Sequence, residues 1–428
     1  MTLDPGPALA RRTRRSPFHP YTVRKINTRS FIRATRSTAR DINRLIVLNL
    51  VREHQPISRA DLARWMGVGR GMVTSLVSEL VADGAIYEGD TVDAPRGRRP
   101  QMLYVRTRDR LVAAVDVRFS RTYIMLSDFA GTEIALESFE TIFEPAALVT
   151  ELATRIRRLT TAHQAAGRCE GIGIVVPGMV DQRSGRVLFA PQLGWRDVDV
   201  RDLLADATGL SVQIENAPIA CALAQMWLGA RQEHAPSNFV YVTISDGVGA
   251  GVVINGEVVR GASFSAGEFG HVPVELDGAP CLCGSRGCLE AYTSNLATLS
   301  RYLGHELSPT TTRQLLHSSG LTIPLLIDRA RAGDARALDA LDTTARYLGA
   351  GLAAITNALN PAHIYVGGEI TAAWDHIEPV LRATIAARGL TPAAATTRLI
   401  PEPPGAHPRL RGATALVSAP SFAAPQVA

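Results

Sequence analysis

From Asp41 the chain's apolar residues fall at helical spacing. Ile42, Leu45, Ile46, Leu48 and Leu50 predict an amphipathic helix to about Glu53, and Pro56 ends the pattern. Ser58-Arg-Ala-Asp61 then has the form of a capping box, in which a serine oxygen and an acid three residues on satisfy orphan amides at a helix start. That second helix is short, with Leu62 and Met66 inward, and stops at Gly67-Val68-Gly69. A third follows from about Arg70 to Asp83, burying Val73, Leu76, Val77 and Leu80, and Gly84 ends it. Ala85–Glu88 and Met102–Val105 read as two strands around a loop that carries Arg96, Arg98 and Arg99. Two such helices joined by a glycine turn, followed by a wing, predict a winged helix-turn-helix over 41–105. Its outward face is Arg70, Gly71, Met72, Thr74, Ser75 and Ser78, with the three wing arginines beside it. A small helical bundle would share the core spacing.

Beyond residue 110 the period shortens to that of buried strands. Leu111–Val117 is an apolar strand, Thr122–Leu126 and Thr132–Leu136 follow around a turn, a long helix spans about Ala146–Gln164, and Gly171–Val176 is another strand. The series restarts at Phe239–Ile244, with Gly249–Ile254 and Glu257–Val259 around the hairpin signal Asn255-Gly256. A strand–turn–strand–turn–strand unit used twice, each with helices, predicts two related α/β lobes and a cleft between them, over about 110–390. The Ala- and Pro-rich stretch 391–428 reads as a tail, loosely ordered beyond Thr414.

Charge separates the head from the body. Residues 1–104 hold 18 Lys and Arg against 9 Asp and Glu, whereas the remainder holds 27 against 31. Ten basic residues fall between Arg11 and Arg40 with no acid among them, so 1–40 reads as a basic, disordered arm, either simply solvated or in contact with phosphates. An anionic partner for the head alone follows, namely DNA. No apolar run reaches membrane-spanning length, and no apolar segment follows the basic N-terminus, which points to a cytoplasmic protein without a membrane partner.

One segment carries concentrated chemistry. His271, Cys281, Cys283 and Cys288 place one imidazole and three thiols within eighteen residues, using three of the five cysteines. That is the ligand set of a tetrahedral zinc site. The bland alternative is a disulfide with a spare thiol, or buried cysteines. Glu268 and Glu290 bracket the cluster without being needed as ligands, so the metal reads as shaping a polar site beside it. With four protein ligands no position stays open for an activated water, and the zinc reads as structural.

Five further segments complete a pattern in fixed order. They are Gly171-Ile-Gly-Ile-Val-Val-Pro177-Gly178, Ala190-Pro-Gln192-Leu-Gly-Trp195, Glu215-Asn216, Gly261-Ala-Ser-Phe-Ser-Ala-Gly-Glu268-Phe-Gly-His271 and Asn360-Pro-Ala-His-Ile-Tyr-Val-Gly367-Gly368. With the cysteine cluster, these resemble the ROK family, which groups bacterial transcriptional repressors and sugar kinases. The resemblance covers about 41–390 and implies a two-lobed actin-like, or ribonuclease H-like, ATPase-type fold. It also implies zinc on His271, Cys281, Cys283 and Cys288, and sugar hydroxyls against Asn216, Glu268, His271 and Glu290.

Two departures from the family's kinases bear on activity. Their first phosphate loop is Asp-x-Gly-Gly-Thr, where small residues admit ATP phosphates; here it reads Asp116-Val-Arg118-Phe-Ser-Arg121-Thr122. Their general base is the aspartate of Glu-Asn-Asp; here Ala217 follows Glu215-Asn216, and then Pro218. The later glycines Gly247, Gly249 and Gly251 are kept, and the hairpin alone is enough to account for them. The resemblance therefore implies a non-enzymatic, sugar-responsive regulator of carbohydrate genes, acting as a repressor on operator DNA as a homodimer or tetramer. The alternatives are an ATP-dependent sugar kinase that also binds DNA, and a regulator sensing a phosphotransferase-system protein.

Overall fold

The computed structural model describes residues 36–91, 100–229, 236–305, 318–391, 396–403 and 405–423. The chain divides into two compact units between Leu103 and Tyr104. The N-terminal unit runs α1 (Arg36–His54), β1 (Ile57–Ser58), α2 (Arg59–Met66), α3 (Arg70–Ala82), β2 (Ile86–Thr91) and β3 (Gln101–Val105), with sheet order β1-β3-β2. Ser58 and Asp61 form the capping box reciprocally, and Gly67 takes the left-handed conformation (φ 64°) that ends α2. Val47, Val51, Leu62, Val73, Leu76, Val77, Leu80, Ile86 and Leu103 make the buried core. The α1 stripe is rotated from the sequence expectation: Val47, Leu48 and Val51 point inward, and Ile46 is 42% exposed. Helix α1 also begins at Arg36, so 36–40 are helical and not part of an arm. Arg40 and Arg44 of α1 pair with Glu79 and Asp83, tying α1 to α3 across the surface.

The second unit repeats one plan. Its first sheet is built from β4 (Arg110–Val117), β5 (Arg121–Asp128), β6 (Glu133–Glu140), then α4 (Pro145–Ala162) and β7 (Arg168–Val176). A small antiparallel sheet of β8 (Met179–Asp181), β9 (Arg186–Ala190) and β10 (Trp195–Val198) follows, then α5 (Val200–Thr208), β11 (Val212–Asn216) and α6 (Ala217–Leu228). The second sheet starts with β12 (Phe239–Ile244), β13 (Val248–Ile254) and β14 (Glu257–Val258). After a long loop come α7 (Glu290–Thr293), α8 (Asn295–Leu303), α9 (Ile323–Arg331), α10 (Ala335–Leu359), β15 (His363–Gly367), α11 (Trp374–Arg388), β16 (Arg398–Pro401) and α12 (Pro408–Ser418). The sheets are ordered β11-β7-β4-β5-β6 and β14-β13-β12-β15-β16. In each, three antiparallel strands are extended by two parallel ones, and a helix follows the last strand. This is the duplicated α/β architecture that the strand pattern predicts.

Those two helices are matched partners. Helix α12 packs on β4, β7 and β11 of the first sheet, α6 packs on β12 and β13 of the second, and the helices pack on each other. Glycines set the distances. A Cβ on Gly173 of β7 would lie 1.9 Å from Ala413 O, one on Gly412 of α12 2.3 Å from Ala220 O, and one on Gly251 of β13 2.3 Å from Pro218 O. Gly249 and Gly251 thus serve the seating of α6, beyond any role in the hairpin. The C-terminal stretch differs from the loose tail expected of it: β16 closes the second sheet, and Leu410, Ala413, Thr414, Ala415, Leu416 and Phe422 are buried. Among the described residues no helix is long and apolar enough to cross a membrane.

Crowding of this kind makes a clear prediction. Gly173→Ala and Gly412→Ala each force backbone apart and should destabilise the second unit by about 1–3 kcal/mol. Gly71, exposed on α3 with nothing within 4 Å of an added Cβ, should behave oppositely, Gly71→Ala stabilising the head by up to about 1 kcal/mol. Denaturant titration of the full-length variants checks both signs.

Candidate metal and ligand site

The loop between β14 and α7 doubles back on itself. Pro273 bridges Cys288, Pro280 bridges Arg286, and Gly287 (φ 69°) lies so close to Glu275 that an added Cβ would be 1.4 Å from its carbonyl oxygen. The fold-back gathers His271, Cys281, Cys283 and Cys288, whose ligand atoms all lie within 4.8 Å of one another. Cys281 Sγ is 3.7 Å from His271 Nδ1, and Cys283 Sγ is 3.7 Å from Cys288 Sγ. A tetrahedral ion with metal–ligand arms of about 2.0–2.3 Å has edges of roughly 3.5–3.8 Å, so these separations match the donor set. All five cysteines are free of disulfides. Burial pushes the Cys281 and Cys288 thiols up, which leaves them protonated unless a cation stabilises the thiolates. These four residues could hold a metal ion.

The two carboxylates lie against this cluster. His271 turns Nδ1 to the thiols and leaves Nε2 3.8 Å from Glu268 Oε2. Glu290 is buried; one oxygen accepts from Val248 N at 2.8 Å and the other sits 3.7 Å from Cys281 Sγ. Burial raises both carboxyls above their usual range. Gln192 belongs here as well, since a Cβ on Gly247 would lie 2.8 Å from its Nε2 and 2.9 Å from Glu290 Oε2. Carboxylates that accept and an amide that donates suit an array of hydroxyls with fixed spacing.

Asn216 also has a structural task. Its Oδ1 accepts from Ile219 N at 3.1 Å and caps α6. Glu215 beside it is buried and paired with Arg260, Nη1 to Oε2 at 2.6 Å, joining β11 to the segment after β14. Local sequence pattern marks neither Gln192 as a site residue nor Arg260 as the partner of Glu215, because both contacts are made across the fold. Ala217 is the first residue of α6 and is 3% exposed. Arg118 folds back on Asp116, Nε to Oδ2 at 2.6 Å.

In the N-terminal unit Arg70, Gly71, Met72, Thr74, Ser75 and Ser78 are all exposed. Two of their hydroxyls are already engaged, Thr74 Oγ1 donating to Arg70 O and Ser75 Oγ accepting from Arg40 Nη2, each at 2.9 Å. Helix α3 starts at Gly69 without a side-chain cap. Arg96, Arg98 and Arg99 lie outside the described residues.

Known proteins match this chain along most of its length. The xylose repressor of Bacillus subtilis (strain 168) is 29% identical over 387 residues, 90% of this chain and 97% of its own. The crystal structure of a ROK family transcriptional regulator, homolog of the E. coli MLC protein, superposes with TM-score 0.74 at 26% identity, covering 90% of this chain and 97% of that one. A ROK family glucokinase from Streptomyces griseus, solved with glucose and AMPPNP, superposes with TM-score 0.60 at 27% identity over 71% of this chain and 98% of its own. The model of the ROK family matches residues 113–419, which takes in both sheets and the metal-ligand cluster. The chain belongs to the ROK family.

Proposed function

We propose that this protein is a sugar-responsive transcriptional repressor of carbohydrate genes. One observation carries the reading: a helix-turn-helix head is joined to a kinase-like body in which buried Ala217 follows Glu215-Asn216, where the resemblance to the family's kinases calls for an aspartate. A methyl group takes no proton from a hydroxyl, so the body keeps the means to hold a sugar without the means to phosphorylate it. The two regulators each align over 90% of the chain, whereas the glucokinase aligns over 71%. Operator DNA lies along the exposed face of α3, the protein acts as a dimer or tetramer on an inverted repeat in the cytoplasm, and the effector is a sugar or sugar derivative beside Glu268, His271, Glu290 and Asn216. Control requires that the two ligands prefer different arrangements of the protein.

Zinc is the metal that best suits three thiolates and an imidazole in a tetrahedron. His271, Cys281, Cys283 and Cys288 would hold it, and its contribution is to fix the loop that carries Glu268 and leads into Glu290. Because protein ligands take all four positions, the ion supplies shape and no activated water.

Purified protein should retard its own upstream DNA, and a cognate sugar should release it. Arg70→Ala should weaken that binding by about 1–3 kcal/mol, read by the same mobility shift. Absence of specific retardation would defeat the repressor reading.

A coupled ADP-release assay over hexoses and pentoses should show no turnover. Ala217→Asp by itself should not create it, because Arg118 stands in the first phosphate loop. Clear wild-type turnover that disappears in Glu268→Gln would favour a kinase.

Metal analysis should find one zinc per chain. Cys288→Ser should lose the metal, lower the melting temperature of the body and abolish the sugar response, while leaving α1–α3 folded by circular dichroism. A metal-free variant with full sugar response would contradict the structural role.

A further inference from the structure

Side chains from both halves of the body join in a charged lattice that neither DNA binding nor sugar contact explains. Asp116, at the end of β4, is fully buried and accepts from Arg118 Nε at 2.6 Å on one oxygen and from Arg409 Nη1 at 3.4 Å on the other. Arg118 continues to Glu369, Nη1 to Oε1 at 3.3 Å, and its guanidinium lies over the Tyr123 ring, 4.9 Å from the centroid. Glu369 Oε2 accepts from Asn295 Nδ2 at 2.9 Å, and Arg409 Nη2 donates to Ser245 Oγ at 3.1 Å. Burial opposes the charge on Arg118, and the Asp116 and Glu369 carboxylates outweigh it, raising the guanidinium above its usual value. Asp116 lies in β4 of the first sheet and Arg118 just beyond it, whereas Ser245 follows β12 of the second sheet, Glu369 follows β15 and Asn295 opens α8. Arg409 comes from the first turn of α12, which packs on the first sheet.

Main-chain bonds connect the lattice to the segment that carries Glu290. Asn295 N donates to Ser245 O at 2.8 Å, and Ser294 N donates to Glu290 O at 3.1 Å. Between them lies α7, four residues long and buried throughout. Glu290, which holds the start of β13, and Asn295, which holds Glu369, therefore sit at the two ends of one short, packed segment. A shift of Glu290 on meeting a ligand must be absorbed by that segment or passed to the lattice.

We propose that Asn295, Glu369, Arg118, Asp116 and Arg409 are positioning residues that lock the two sheets at one spacing, and that this spacing sets the affinity of the sugar site. The effector part rests on the repressor reading; the cross-link does not. Such a lattice favours the arrangement in which its charges stay paired, since separating the halves breaks the half-buried Arg118–Glu369 pair and the Arg409–Ser245 bond together. A ligand that fits the same arrangement gains affinity from it, and the coupling is reciprocal. Removing Arg118 leaves Asp116 with Arg409 and Glu369 with Asn295, so no carboxylate loses every partner and the variant can fold.

The test uses full-length wild type, Arg118→Gln, Glu369→Gln and Arg118→Lys. Amide hydrogen exchange without ligand should speed up around Ser245–Val248 and Glu369–Ala373 in both glutamine variants, with α1–α3 unchanged. D-xylose and D-glucose are the probes for affinity. Whichever binds wild type should bind the glutamine variants roughly 5- to 150-fold more weakly, and Arg118→Lys should recover most of that loss. Unchanged exchange in both glutamine variants overturns the cross-link. Faster exchange with affinity held within about twofold overturns the positioning role. If wild type binds neither sugar, the sugar reading is what fails, and exchange alone still decides the cross-link. Should Arg118→Gln fail to fold, Glu369→Gln carries the same comparison.

Discussion

Backbone meets backbone where α6 crosses α12, and the geometry of the body follows from that contact. Gly412 sits against the Ala220 carbonyl, Gly173 lets α12 down onto the first sheet, and Gly249 and Gly251 let Pro218 of α6 down onto the second. Side chains at these points would push the layers apart, because protein interiors have no slack to absorb even a methyl group against main chain. How closely the two sheets approach through these helices therefore depends on the absence of Cβ atoms. That separation in turn allows Arg260 to reach Glu215 and Arg118 to reach Glu369.

Within that frame the metal-ligand loop and Glu290 divide the work. The fold-back at Gly287 brings three thiols and an imidazole to tetrahedral spacing, and the short helix after it delivers Glu290 to the amide of Val248. A carboxylate buried this way is oriented before any ligand arrives, so little rotamer freedom remains to be lost on binding. His271 is held on one ring nitrogen by the cluster and faces Glu268 with the other. A fully protein-ligated metal adds rigidity to such a loop and no reactivity.

Much was legible in the chain because it depends on neighbours in sequence. The capping box at Ser58–Asp61 is a three-residue interaction, and it forms as read. The strand unit repeats because each copy writes its own alternation of apolar residues and turns. The cysteine cluster spans eighteen residues, short enough for the ligand set to be recognised before any fold is known. Other features resisted. Arg409 meets Asp116 across 293 positions, and nothing in an Ala- and Pro-rich stretch marks it as a strand and helix that complete the second sheet and pack on the first. Asn216, which the resemblance sets against sugar hydroxyls, also caps α6 through its Oδ1, a task that Ser, Asp or Thr could share and that sequence spacing does not announce.

The sequence by itself determined the parts list: a basic head with helix-turn-helix punctuation, a twice-written α/β unit, a cluster of one histidine and three cysteines, and Ala217 after Glu215-Asn216. Each is a matter of residue type at short spacing, where local geometry leaves few options. Tertiary structure decided what those parts do to one another. It spent Gly249 and Gly251 on the seating of α6, brought Gln192 beside Gly247 and Glu290, and turned Arg118 into one member of a charge lattice that joins the two halves of the body. Those outcomes depend on distances between residues tens to hundreds of positions apart, which only the packed fold sets.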